Sequence, residues 1–321
     1  MRTNTSRPQS RPNPLKQNFC FFYYMSAPNP TIPQADLSPY GYVPHEGVAI
    51  IFLLLFGFST LLHATQAVYF RMWWLLPTAC LCGIGEVVGW SGRLWSSLSP
   101  TLGDPYMMQI TTTIISPTPL LAVNFIVLSR IITRLGPSYS RLTPKSYTTI
   151  FLSCDLIALV VQGAGGGIAA SSTTRASQNL GGNIMLGGIV FQFVAICAYT
   201  ACGVDFVRNY TARKSVRPMI SSAERGLLDT RLKLMLAALA FSTLVLLIRS
   251  IYRTVELADG WTGKVITTEV YFNVLDGGMV ILAIYTMNVA HPGLLLMSRQ
   301  SEDREQIHLK QHSTSSASSF A

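Results

Sequence analysis

Charge is scarce in this chain: only 12% of its 321 residues are Asp, Glu, Lys or Arg, about half the share of an ordinary soluble domain. A surface solvated by water along the whole length is therefore excluded. There is no Walker A loop, which excludes a self-contained ATP-driven pump. The "GAGGG" run at 163–167 follows no strand and sits in an apolar stretch, so a dinucleotide loop is excluded as well. Cysteine is sparse, at six residues, and five of them (Cys80, Cys82, Cys154, Cys197, Cys202) fall inside apolar runs while Cys20 stands alone. That leaves no extracellular disulfide framework. Cys80 and Cys82, two apart on a helix, point to nearly opposite faces, and no metal site is expected. With no nucleophile, metal set or phosphate loop beside the carboxylates, neither an enzyme nor a cofactor is expected.

What the chain has instead is long apolar runs. Hydrophobic residues make up 49% of it, and its mean hydropathy is positive, at +0.36. A membrane-crossing helix needs roughly 20 mostly apolar residues. Seven candidates are present, over 48–62, 73–95, 107–129, 147–169, 183–204, 232–254 and 268–290. The fold class predicted is an all-α membrane protein, a seven-transmembrane helix bundle spanning 45–293. Ahead of it, 1–44 is rich in Pro, Ser, Asn and Arg, a composition that builds no core, and 294–321 is a Ser-rich tail.

Basic residues fix the expected orientation, because short cytoplasmic loops collect Lys and Arg. Arg71, then Arg130, Arg134, Arg141 and Lys145, then the run from Arg208 to Lys233, then Arg299, Arg304 and Lys310 all fall on one side. In the intervening loops only Arg175 and Lys264 fall clear of the helices on the other side. Arg2, Arg7, Arg11 and Lys16 run against the pattern, but they sit about 30 residues before the first span, beyond the distance over which the rule is counted. The amino terminus is expected outside and the carboxyl terminus in the cytoplasm, with Asn4 of Asn4-Thr5-Ser6 as an outer glycosylation site. The net charge of +9 is then a cytoplasmic collar that rests on anionic lipid, and nucleic acid is not needed to explain it.

The spans also carry polar residues seven apart: Glu86 with Arg93, Asp155 with Gln162, Arg249 with Glu256, and Glu269 with Asp276. Seven residues bring a helical side chain back to within about 20° of its starting direction, and Arg253 shares the face of Arg249. Each centrally placed Asp or Arg costs roughly 2.5–3.5 kcal/mol to insert, so these groups must face one another or water. Among the deep groups, Glu86, Asp155 and Asp276 face one Arg249. The interior is thus short of positive charge by about two if all ionise, a deficit that protons or a cationic head group would fill. Ion pairs that only fix helix register are the structural alternative for any single pair.

The stretches that carry these stripes, "YGYVP" at 40–44, "GEVVGWSGR" at 85–93, "SCDLIALVVQGAGGG" at 153–167, "IRSIYRTVELADG" at 248–260 and "HPG" at 291–293, together resemble the fungal lipid-translocating exporter family. These are the RTA-like proteins of resistance to 7-aminocholesterol, which include sphingoid long-chain base exporters. The resemblance implies seven spans, a plasma-membrane location and export of amphipathic lipids. It carries over Glu86, Gly89, Arg93, Asp155, Gln162, Gly165, Gly166, Arg249, Arg253, Glu256, Asp276 and His291. Trp90 stands where the family often has tyrosine, and Gly277-Gly278 follows Asp276 where a proline is frequent nearby.

A sphingoid base joins an ammonium to a long tail. Asp155, Glu86 and Asp276 are accordingly expected to hold the cationic head in one shared interior while Arg249 limits their repulsion. Gly165, Gly166 and Gly167, with Gly163, Gly187 and Gly188, are expected to allow close helix approach. Pro117 and Pro119 should kink the third span, and His63 reads as an interhelical histidine. The alternative function is a seven-helix lipid sensor that regulates tolerance without transport. Against a familiar receptor, "LSRII" replaces the Asp/Glu-Arg-Tyr signature and the seventh span lacks Asn-Pro-x-x-Tyr.

Overall fold

The computed structural model describes residues 38–217 and 226–297. Asn4, most of the amino-terminal segment and the Ser-rich end lie outside the described residues. Seven helices are long and apolar enough to cross a membrane: α1 (Glu46–Tyr69), α2 (Trp73–Leu98), α3 (Gly103–Leu135), α4 (Pro144–Ala170), α5 (Arg175–Thr211), α6 (Thr230–Ala258) and α7 (Glu269–Leu296). No strand occurs among the described residues. The chain is an all-helical, multi-pass membrane protein. Its outer surface is the lipid face, where Leu54, Phe58, Leu61, Leu156, Val194 and Val289 are exposed.

Helix starts follow local chemistry. The side chain of Thr143 accepts from Ser146 N ahead of α4, which begins with Pro144. Thr174 does the same for Ser177 N ahead of α5, and Asp229 accepts from Leu232 N at 2.9 Å ahead of α6. Each satisfies an amide that the helix itself leaves open.

Two spans are irregular where the site forms. The third breaks into Gly103–Ile115 and Thr118–Leu135, so the kink expected at Pro117 and Pro119 is a discontinuity. The seventh widens into a π-helical turn over Asn273–Gly278, a local expansion often found at functional sites.

α3 packs against α2, α4 and α6 and forms the centre of the bundle, while α1 lies outside against α2 and α7. Asn124 ties the middle together: its Nδ2 donates to Ser242 Oγ at 3.2 Å, and its carbonyl accepts from the Tyr199 hydroxyl at 3.0 Å. His63 is interhelical, with Nε2 3.2 Å from the Ile284 carbonyl.

Small residues set how closely α4 and α5 cross. A Cβ on Gly165 would lie 2.6 Å from Met185 N, and one on Gly181 would lie 2.5 Å from Ala169 N. Gly89 and Gly166 press in the same way on threonines of α3. Gly167 does not: it is exposed, with nothing near its missing Cβ, and Gly187 is equally open. The expected packing role of Gly167 is thereby corrected, because a quarter-turn on a helix moves a residue from the contact face toward lipid.

Candidate functional site

Arg249 and Arg253 stand one turn apart on the buried face of α6. Arg253 is 1% exposed and holds Asp276 of α7 with two nitrogens, Nε to Oδ1 at 2.7 Å and Nη2 to Oδ2 at 2.6 Å. Its Nη1 donates to Glu256 at 2.7 Å, whose other oxygen accepts from the Tyr252 hydroxyl at 2.8 Å. A guanidinium is suited to this task, since its planar fork serves several acceptors at once.

Arg249 Nε lies 2.9 Å from Asp276 Oδ1, close but not aligned as a hydrogen bond. Its directed bond is from Nη2 to the Thr113 carbonyl. That carbonyl is available because residue 117, which would donate to it in a continuous helix, is proline and has no N–H. Arg253 Nη2 also donates to Thr113 Oγ1 at 2.7 Å, so one threonine at the break of α3 receives both arginines.

Glu86 of α2 is fully buried. It lies within electrostatic reach of Arg249, Arg253 and Asp276, yet neither of its oxygens has a hydrogen-bond partner. The Trp90 indole N–H, one turn along α2, interacts with the carboxyl but falls outside strict hydrogen-bond geometry. Around this centre Asp276 and Glu256 are matched by the two arginines, and Glu86 is the carboxyl left over.

Asp155 is elsewhere. Its Oδ1 accepts from Gln192 Nε2 at 3.2 Å, Gln192 Oε1 accepts from Gln162 Nε2 at 3.0 Å, and Gln192 Nε2 also donates to Thr118 at 3.1 Å. This is a second polar cluster, made by α3, α4 and α5, with Asp155 Oδ2 and Gln162 Oε1 buried and unsatisfied. No hydrogen bond or ion pair among the described residues joins Asp155 to Glu86 or Asp276, which the sequence places in one interior: one cluster meets α3 at Thr113 and the other at Thr118.

The end of the bundle beyond Glu256 is closed by aromatic residues. Arg93 is fully buried, with Nη2 donating to the Tyr42 hydroxyl at 3.0 Å and to Glu269 at 3.1 Å, and its guanidinium lies 4.6 Å from the Phe272 ring centroid. Tyr40, ahead of α1, is 3% exposed and packs edge-on against Tyr106 at 4.7 Å. Burial pushes the Tyr40 phenol up to about 12 and raises Tyr42 as well, so both hydroxyls stay protonated. Beside this cap is a pocket of about 260 Å³, whose lining includes Asn179, Asn183, Glu256 and Trp261. It brings amide groups, an indole and one edge of the charge cluster to a single opening.

The sequence pattern did not mark Thr113, Gln192, Thr118 or Tyr252, which supply most of the neutral partners. The one available signal was Gln192, a polar residue in a run free of charge. His291 faces none of these groups: its Nδ1 accepts from Gly293 N at 3.1 Å, and its ring stacks on Phe70 at 4.8 Å. Among the described residues no cluster of His, Cys, Asp and Glu could hold a metal ion.

Residues 79–299 match the family described as RTA1 like protein. Sphingoid long-chain base transporter RSB1 of Saccharomyces cerevisiae is 27% identical over 287 residues, covering 81% of this chain and 75% of that one. Protein RTA1 of the same yeast is 27% identical over 278 residues, 79% of this chain and 84% of its own. Protoporphyrin uptake protein 1, also from that yeast, is 24% identical over 286 residues, 78% of this chain and 90% of its own. No solved structure matches the chain.

Proposed function

The chain belongs to the RTA1-like family, and on that premise we propose that it moves amphipathic lipids with a cationic head, sphingoid long-chain bases foremost, across the fungal plasma membrane. One observation carries the reading: Glu86 and Asp155, both buried inside the bundle, form no ion pair among the described residues. A buried ionised carboxylate is costly unless paired, and a substrate ammonium is the partner of opposite sign that such a site accepts. The pocket at Asn179, Asn183 and Trp261 suits an amino-alcohol head, with amides for hydroxyls, an indole face for the cation and Glu256 behind them. The tail stays in lipid.

The test is exchange of a labelled sphingoid base between the leaflets of liposomes that hold the purified protein, with and without a pH gradient. Exchange that falls at least tenfold in Glu86→Gln and Asp155→Asn supports the reading. Binding without exchange replaces it with a lipid sensor, and full exchange by both variants removes these carboxyls from the mechanism.

A further inference from the structure

The opposite end of α6 carries a different chemistry. Between α3, α5 and α6 lies an apolar groove of about 660 Å³, walled by Leu128, Tyr199, Val207, Leu236 and Leu247 and floored in part by Gly203. A second depression, of about 520 Å³, reaches round α5 to Cys197 and Ala201. The two share Thr200, Val204, Arg208 and Leu247. Two open apolar depressions therefore run side by side along α5, and Arg208 borders both.

Arg208 in the last turn of α5 and Lys233 in the first turn of α6 both border the first groove. They are on the same side of the membrane because one loop joins the two helices. Both are exposed, and neither forms an ion pair among the described residues. The one acid bordering the second depression, Asp205, is held by Arg141 Nε at 2.7 Å and Asn209 Nδ2 at 3.1 Å, and reaches Arg208 only through space, without an ion-pair contact. Arg213, Lys214 and Arg217 follow in the loop, so the local charge is strongly positive. Long basic side chains at helix ends reach the phosphate level of a bilayer while their stems cover apolar surface.

We infer that this face binds one molecule of a two-chain anionic phospholipid, with its phosphate between Arg208 and Lys233 and an acyl chain in each depression. Charge decides the head group and the paired depressions decide the number of tails. A sphingoid base has the wrong sign and a single long chain, so this site is separate from the transport reading and does not depend on it. The basic side of the bundle is also the side that the distribution of Lys and Arg assigns to the cytoplasm, where anionic lipid is concentrated.

The experiment uses the full chain, purified and delipidated, with lipid retention read by native mass spectrometry and thermal unfolding read in parallel. Phosphatidylserine, phosphatidylcholine and lyso-phosphatidylserine are added in turn. The expected result is retention of phosphatidylserine at least tenfold stronger than of the other two, lost in Arg208→Ala/Lys233→Ala. A Cβ at Gly203 meets only Leu128 Cδ2, at 3.5 Å. Gly203→Leu should therefore fill the groove and weaken retention with both cations intact. An unfolding temperature of each delipidated variant equal to that of the native chain reports that the fold survives. Equal retention of serine and choline lipids overturns the inference, as does equal retention of the lyso lipid or a dimer of the native chain that Gly203→Leu dissociates.

Discussion

Pro117 lies four residues beyond Thr113, and the helical hydrogen bond it cannot donate is replaced by one from Arg249 to the Thr113 carbonyl. The break in α3 and the charge on α6 are thus two halves of one arrangement. A guanidinium in the membrane interior is tolerated because a backbone acceptor has been freed at the depth where it sits, and its proximity to Asp276 at 2.9 Å supplies the compensating charge. The interior is built from deliberate irregularities, a missing amide in α3 and a wide turn in α7, that let side chains meet backbone.

Restoring the amide should separate these halves. In Pro117→Ala the helix regains its own donor and withdraws the acceptor from Arg249. One hydrogen bond replaces another, so stability in detergent should change by less than about 1 kcal/mol, while sphingoid-base exchange falls about tenfold because the arginine is no longer anchored. Unchanged exchange in a well-folded Pro117→Ala protein would show that Arg249 does not need this carbonyl.

Asp276 and Glu86 should respond in opposite ways to loss of charge. Asp276 is held by two nitrogens of Arg253, so Asp276→Asn leaves two arginines short of a counter-ion and should cost about 3–5 kcal/mol, visible as a large drop in unfolding temperature. Glu86 has only a loose contact with the Trp90 N–H to lose. Glu86→Gln should leave stability unchanged or raise it, and should still lose exchange of the amine-headed lipid. A stability loss in Glu86→Gln as large as that in Asp276→Asn would mean the carboxyl is structural.

Glycine substitutions distinguish packing from lipid-facing positions on a single helix. Gly165→Ala drives a methyl toward the backbone of α5 at 2.6 Å and should destabilise by roughly 1–3 kcal/mol, the usual cost of overpacking. Gly167→Ala meets nothing and should be neutral or slightly stabilising, since alanine favours helix over glycine by about 1 kcal/mol. Thermal unfolding of the two variants in the same detergent checks the contrast.

The seven spans were legible because length and apolar run are local properties of the chain. The seven-residue spacing also placed Arg249, Arg253 and Glu256 on one buried face of α6, as the structure does. Spacing says which face a residue occupies, but not which neighbour the face meets. For that reason Asp155, drawn in sequence toward Glu86 and Asp276, instead meets Gln192 at 3.2 Å, a neutral residue in a run that charge alone could not flag. Thr113 was invisible for a related reason. Its part depends on a backbone carbonyl that Pro117 frees, and the proline signalled the break without saying which side chain would cross into it. The two clusters also meet α3 at different residues, Thr113 and Thr118, which no single helix encodes.

The tyrosines ahead of α1 give a test at high pH. Burial raises Tyr40 from the ordinary phenol value of 10.0 to about 12, so between these values the folded protein keeps a proton that the unfolded chain releases. The sign follows from linkage: the stabilising contribution is complete below pH 10 and is lost as pH rises through about 12. Its size is on the order of 3 kcal/mol, from a shift of that extent. Tyr40→Phe removes the titrating group but keeps the ring against Tyr106, and the hydroxyl's contact with Ser96 is long, at 3.3 Å. Unfolding temperature in detergent should therefore fall more steeply between pH 10 and 12 for the native chain than for Tyr40→Phe. Parallel curves for the two proteins would mean that the buried cap opens before Tyr40 ionises, and that this segment does not help to hold the bundle closed.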